Sequence, residues 1–185
     1  MKLILLGPPG VGKGTQAARL KDHFKIIHLS TGEILRGEMA ESTSVGIRAR
    51  QYIDAGNLVP DKILLKMMNN RLRDDDCAAG YILDGFPRTI PQAEGLQVLL
   101  DELNHELNAV ISITADQDEL VRRLILRAKD SGRSDDTDSV IKDRQRVYWN
   151  QTAPLIHYYE GKNLLKTVDG LGTIEEISDR ILEVV

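Results

Sequence analysis

The chain has 185 residues, enough for one compact domain with at most small insertions, and 42% of them are hydrophobic and 28% charged, a balance that suits a soluble fold with a buried core. A formal net charge of −4 argues against a long nucleic acid as partner, and the single cysteine, Cys77, excludes an internal disulfide and any multi-cysteine zinc site. No apolar run approaches the roughly 20 residues of a membrane-spanning helix, and a phosphate-type motif beginning at residue 7 leaves no room for a removable leader, so a soluble, cytoplasmic protein is expected.

The first element is a short apolar strand over residues 2–6, followed by GPPGVGKGT at 7–15 and a helical pattern over 13–24. Gly7, Gly12 and Lys13 fit the spacing G-x-x-x-x-G-K-[ST] of the P-loop, except that Gly14 stands where that pattern wants a hydroxyl and Thr15 comes one position late. In a strand–turn–helix context the glycines let successive N–H groups, from Gly10 and Val11 through Thr15, converge on phosphate oxygens at a helix N-terminus. Lys13 then bridges the outer phosphates of a nucleoside triphosphate. The competing reading, a tight turn with an exposed lysine, does not account for the strand and helix on either side.

A second strand is expected at 26–29, then helices at 32–40, with Thr31 marking the start, and at 44–55. Pro60–Asp61 opens a helix over 61–72, and a third strand at 81–84 runs into DGFPRTIPQ and a helix over 91–103. A fourth strand at 109–113 precedes a helix at 117–129. The polar stretch DSGRSDDTDS at 130–139 holds no core residue and separates that helix from a long one at 139–159, with Trp149 packing it. A last strand at 164–168 is followed by the capping box Thr173-x-x-Glu176 and a helix over 174–185. Strands alternating with helices predict a doubly wound α/β fold around a five-stranded parallel sheet. The histidines His23, His28, His105 and His157 show no ligand spacing and are read as structural, Cys77 as inert.

A P-loop alone specifies a triphosphate. The guanine-reading N-K-x-D motif is absent, and the stretches HLSTGEILR, GNLVPD, ILDGFPRTIPQAE, GRSDDTDSVIKDR and QTAPLIHYY, taken with GPPGVGKGT, cover essentially the whole chain. In order and spacing they resemble the adenylate kinase family, in its short-lid variant, whose loop also reads GKGT. The resemblance implies a P-loop NTPase-type core over 1–29, 60–126 and 137–185, an AMP-binding flap at 30–59 and a short lid at 127–136. It implies reversible transfer of a phosphoryl group from MgATP to AMP, giving two ADP, with ATP, AMP and ADP as the only partners, no nucleic acid polymer, no membrane, and a monomer.

Residue roles follow from the same resemblance. Arg36 and Arg88 are expected on the AMP phosphate, Arg127 on the ATP side, and Arg133 and Arg144 on both phosphate chains. Arg123 is expected to stack on the adenine of ATP, near the backbone turn at Gly172. Thr31 and the backbone of Asn57, Leu58 and Val59 would meet the adenine and ribose of AMP, and Gln92 would read the adenine edge. Gly85, Phe86 and Pro87 belong to the AMP side, Gly85 because it lets the chain approach the nucleotide. Asp84 is expected to hold Mg²⁺ through its water shell, since magnesium accepts a shell of water and phosphate oxygens; no structural zinc is expected. Asp135 and Asp136 would fasten the lid. A kinase for UMP or CMP, or a nucleotide-binding module without catalysis, is the alternative to be distinguished.

Overall fold

The computed structural model describes residues 1–131 and 137–185. Five parallel strands, β1 (Lys2–Leu6), β2 (Ile27–Ser30), β3 (Tyr81–Asp84), β4 (Ala109–Thr114) and β5 (Leu165–Asp169), form one sheet in the order β2-β3-β1-β4-β5. Alternate side chains of a strand face opposite sides, and both sides are apolar here. Ile4, Leu6, Tyr81, Leu83 and Val110 enter one buried cluster, while Leu3, Leu5, Ile82, Ile111 and Ile113 enter the other. A sheet covered on both faces is the doubly wound α/β arrangement of P-loop NTPases, as expected. No helix among the described residues is long and apolar enough to cross a membrane.

The helices are α1 (Lys13–Phe24), α2 (Thr31–Ala40), α3 (Ser44–Asp54), α4 (Asp61–Arg71), α5 (Ile90–Leu103), α6 (Gln117–Ser131), α7 (Asp138–Val147), α8 (Leu155–Glu160) and α9 (Ile174–Leu182). Their starts have physical causes: Ser30, Thr43, Thr89 and Thr173 each accept a hydrogen bond from a first-turn amide, and Glu176 completes a capping box with Thr173. The cap of α2 is thus Ser30, and Thr31 lies inside the helix. α2 and α3 pack backbone against backbone: a Cβ on Gly46 would overlap the Glu38 carbonyl, and the Thr43 hydroxyl donates to the Glu38 carboxylate. Cys77 is buried, donates to the Arg71 carbonyl at 3.1 Å, and has its pKa pushed up to about 11 by burial.

One expected element divides. Residues 139–159 do not form a single helix: α7 ends at Val147, a π-helical turn spans Tyr148–Thr152, and α8 begins after Pro154. Pro154 has no N–H to give to a preceding turn and its ring disfavours an uninterrupted helix. The inserted turn carries Tyr148 inward, 6% exposed, and leaves Trp149 half exposed at 50%, so Trp149 packs edge-on against Tyr148 rather than into the core.

Candidate active site

The carboxyl ends of β1, β3 and β2 meet the loop of residues 7–12 and the start of α1. Gly12 caps α1 with φ 97°, and a Cβ there would meet nothing within 4 Å; the position needs glycine for its backbone conformation, not for space. Gly10, at φ 93°, also lies so close to α6 that a Cβ would sit 2.8 Å from the Leu120 carbonyl. Lys13 curls over the loop and donates to the carbonyls of Gly7 at 2.7 Å and Pro8 at 3.2 Å. Burial lowers its pKa to about 8 against the opposing pull of Asp84, while Arg88, Arg144 and Arg127 push it the same way as burial.

Asp84 ends β3, in register with Leu5 of β1 and Ser30 of β2. Its Oδ2 lies 3.3 Å from Nε2 of His28, and both side chains are nearly enclosed, at 13% and 14% exposure. Burial alone would raise the carboxyl pKa, but the His28 contact and the charges of Lys13 and Arg88 outweigh it and hold it below the usual value. Asp84 is therefore held as an anion between His28 and Lys13. A Cβ on Gly14 would come within 3.7 Å of Asp84 Oδ2, so the missing hydroxyl leaves that space open. Among the described residues no group of three His, Cys, Asp or Glu could cage a metal. One ionised carboxylate facing open space beside a phosphate cradle fits a hydrated divalent ion that takes its other ligands from water and phosphate.

A cavity of about 820 Å³ opens over this centre, walled by the loop from Pro9 to Gln16, by Arg36, Asp84 and Arg88, and by Arg123, Arg127, Arg144 and Gly172. Two smaller pockets adjoin it. One, about 60 Å³, lies between the loop, Pro87 and α7, and the other, about 70 Å³, is bounded by Thr31, Arg36, Asn57, Leu58 and Val59. Gly85, Arg88 and Arg144 line all three. Arg88 Nε donates to the Gly85 carbonyl at 2.8 Å, and the Thr31 hydroxyl donates to the same oxygen at 2.8 Å. Arg123 is held from both sides, by Glu119 at 2.7 Å and by the Gly170 carbonyl at 3.1 Å.

Several expected residues sit elsewhere than in the open cavity. Phe86 is 1% exposed and its ring belongs to the core. Gln92 is fully buried: its Oε1 accepts from the Arg88 amide at 2.7 Å and its Nε2 donates to Asp61 Oδ1 at 2.6 Å. Both ends of the side chain expected to read adenine are thus engaged within the protein, because Asp61 at the start of α4 offers the amide an acceptor. Arg133, Asp135 and Asp136 lie outside the described residues. One residue read as structural stands at the cavity, and one goes unread in the sequence. His28 occupies the cavity wall, two positions before Ser30 on the same face of β2. Glu119 binds Arg122 and Arg123 together, its pKa drawn down to about 2 by those two hydrogen bonds; its i,i+3 and i,i+4 spacing is a signal that could have found it.

The family model described as adenylate kinase matches residues 5–164. The chain is similar to an adenylate kinase of a Nocardioides species, with 47% identity over 183 residues covering 99% of this chain and 96% of the relative. It is also similar to an adenylate kinase of Leptospira biflexa, 47% identical over 98% of each chain, and to one of Stenotrophomonas maltophilia, 48% identical over 98% of this chain and 97% of the relative.

Proposed function

The chain belongs to the adenylate kinase family, and from that premise we propose that its cavity joins ATP and AMP end to end for reversible phosphoryl transfer giving two ADP. The observation that carries the residue roles is the convergence of Lys13, an ionised Asp84, Arg88 and Arg144 on one cavity with two adjoining pockets. Two nucleotides placed end to end bring about six negative charges together. Phosphoryl transfer needs those charges aligned and offset more than it needs covalent help.

On the donor side the amides of Gly10, Val11, Gly12, Gly14 and Thr15 cradle the phosphates of ATP, and Lys13 leaves its loop carbonyls to meet the transferring group. Arg123, already fixed by Glu119, gives its flat face to the adenine of ATP beside Gly172, and Arg127 meets the ATP phosphates. Mg²⁺ accompanying ATP would offset the charge of the phosphates. Asp84 would hold that ion through its water shell, a role supported by its lowered pKa and the open space above Gly14.

On the acceptor side Arg36 and Arg88 grip the AMP phosphate, and Thr31 and the backbone of Asn57–Val59 line the place for its base and ribose. Gly85 and Pro87 form the adjoining wall. A phosphate monoester with a second pKa of about 6 is already ionised at neutral pH, so no general base is required. Gln92 acts here first as a brace for the Arg88 backbone; reading adenine requires its amide to turn from Asp61. Arg144, which borders the cavity and both adjoining pockets, meets both phosphate chains, and Arg133 of the lid joins it. The flap over residues 30–59 and the lid over 127–136 close on the substrates and exclude the water that would otherwise take the phosphoryl group. The enzyme works as a cytoplasmic monomer on free nucleotides, with no polymer or membrane, and keeps the adenine nucleotides in balance.

A coupled assay tests the reading. With MgATP as donor, turnover with AMP should exceed turnover with UMP, CMP or GMP by at least about tenfold, as expected of a site with buried polar groups aimed at one base. Equal use of UMP or CMP would make this a pyrimidine monophosphate kinase, and no turnover with any acceptor would make it a binding module.

A further inference from the structure

Gln145 has no part in the chemistry set out above, yet it stands in an unusual place. Ile141 and Gln145 on α7 and Tyr148, the first residue of the π-helical turn that follows it, stand at i, i+4 and i+7, and all three are buried, at 3%, 5% and 6% exposure. Such a stripe calls for an apolar residue at each position. The side chain instead crosses to the phosphate loop, where Nε2 donates to the Pro9 carbonyl at 3.0 Å. Its Oε1 is buried and, among the described residues, meets no hydrogen-bond donor. An unpaired buried amide oxygen lowers stability, and a leucine would fill the same volume without that penalty.

What the tie holds is visible on either side of it. Arg144 precedes Gln145 in sequence and reaches all three pockets. A neighbouring flank of α7 meets the end of the flap, since a Cβ on Gly56 would lie 3.0 Å from Val140 Cγ1 and 3.1 Å from Arg144 Cγ. α7 is therefore fixed to the phosphate loop at Gln145 and pressed against residue 56 one turn earlier. We propose that Gln145 is a positioning residue: its amide locks α7 to the Pro9 carbonyl and thereby aims Arg144 at the phosphates held in the loop. This rests on the phosphotransferase reading of the cavity. Because Arg144 acts on charge shared between the two phosphate chains, a loosened α7 lowers kcat more than it weakens either substrate.

Gln145→Leu and Gln145→Met preserve volume and remove the tie. Wild type measured alongside separates the two readings: an inactive wild type refutes the proposed function, whereas an active one leaves only the positioning role in question. Both variants should melt at or above the wild-type temperature while kcat falls about fivefold, the rate equivalent of one neutral hydrogen bond. KM for AMP and for ATP should stay within about twofold. In an Arg144→Lys background the same replacements should add little further loss, because the tie acts through the residue already altered. Unchanged kcat overturns the proposal, as does a kcat loss accompanied by a lower melting temperature in both variants, or losses that add fully in the Arg144→Lys background.

Discussion

Replacing Gln92 by Leu separates a brace from a base reader. The side chain is fully buried and each of its ends is occupied: the Arg88 amide gives Oε1 a 2.7 Å bond, and Nε2 gives Asp61 a 2.6 Å bond. Leucine matches the volume, so no cavity opens and the loss is polar. The Arg88 N–H, part-buried and stripped of its acceptor, costs about 1–3 kcal/mol. Asp61 keeps the Thr89 hydroxyl at 3.1 Å on its other oxygen and is half-buried, so water replaces part of what it loses and about 1 kcal/mol is added. The sum, about 3 kcal/mol, lowers the melting temperature of a domain this size by about 6–12 °C. Nucleotide-free thermal unfolding reads that number. Steady-state kinetics with AMP, UMP, CMP and GMP reads the rest: AMP use should weaken because Arg88 loses its backbone anchor, while KM for ATP stays near wild type. A nucleotide-free melting temperature within about 2 °C of wild type would refute the brace, since the loss expected for the orphaned amide is at least about 1 kcal/mol.

Lys13→Met should cut turnover by about 10²–10³, the usual loss for one preorganised charge at the transferring group, and near-normal turnover would remove Lys13 from the cradle. Burial also holds its pKa at about 8, below the ordinary 10.5, so between those values the unfolded chain carries a proton that the folded chain has lost. Wild type should therefore gain stability over Lys13→Met as pH rises from 8 to 10.5, by on the order of 2 kcal/mol after discounting for the open cavity; urea titrations at pH 7 and pH 10 that show a constant or shrinking difference contradict this. Gly46→Ala forces α2 away from α3 and should destabilise by about 1–3 kcal/mol and raise KM for AMP more than for ATP, with unchanged denaturation arguing against the backbone contact. A strong chelator should abolish activity yet leave the nucleotide-free melting curve in place; a large drop would reveal a structural metal. Hydrogen exchange over residues 30–59 should slow when a two-headed adenosine–polyphosphate–adenosine inhibitor binds, and equal exchange with and without it would sink closure of the flap.

The strands are legible because a parallel sheet buried on both faces leaves nearly continuous apolar runs, as in Leu3–Leu6 and Val110–Ile113. The loop and Asp84 are legible because motif and position agree. Helical spacing, by contrast, carries straight through residues 148–152 and cannot register one extra residue in a turn; Pro154 is the sole local mark of the break. Trp149 looks like a core residue by size, but the π turn hands the inner position to Tyr148. His28 lacks any ligand spacing, and its place beside Asp84 depends on β2 lying next to β3, which pairing rather than pattern decides. Gln92 and Asp61 are separated by 31 positions, and nothing in either segment announces the other.

The order β2-β3-β1-β4-β5 puts the earliest strand in the middle. Leu3 pairs with Ile82 on one side and with Ala109 on the other, so β1 is made well before either neighbour. Closing such long loops costs entropy that only the finished ladder returns, and parallel pairings of this kind form late. During synthesis the phosphate loop therefore leaves the ribosome on a strand with no sheet to hold it. Its glycines stay free to sample other conformations until the strands that flank β1 have joined the sheet. Until then Leu3 to Leu6 is an apolar segment without its sheet partners, the kind of exposed surface that invites aggregation or a chaperone.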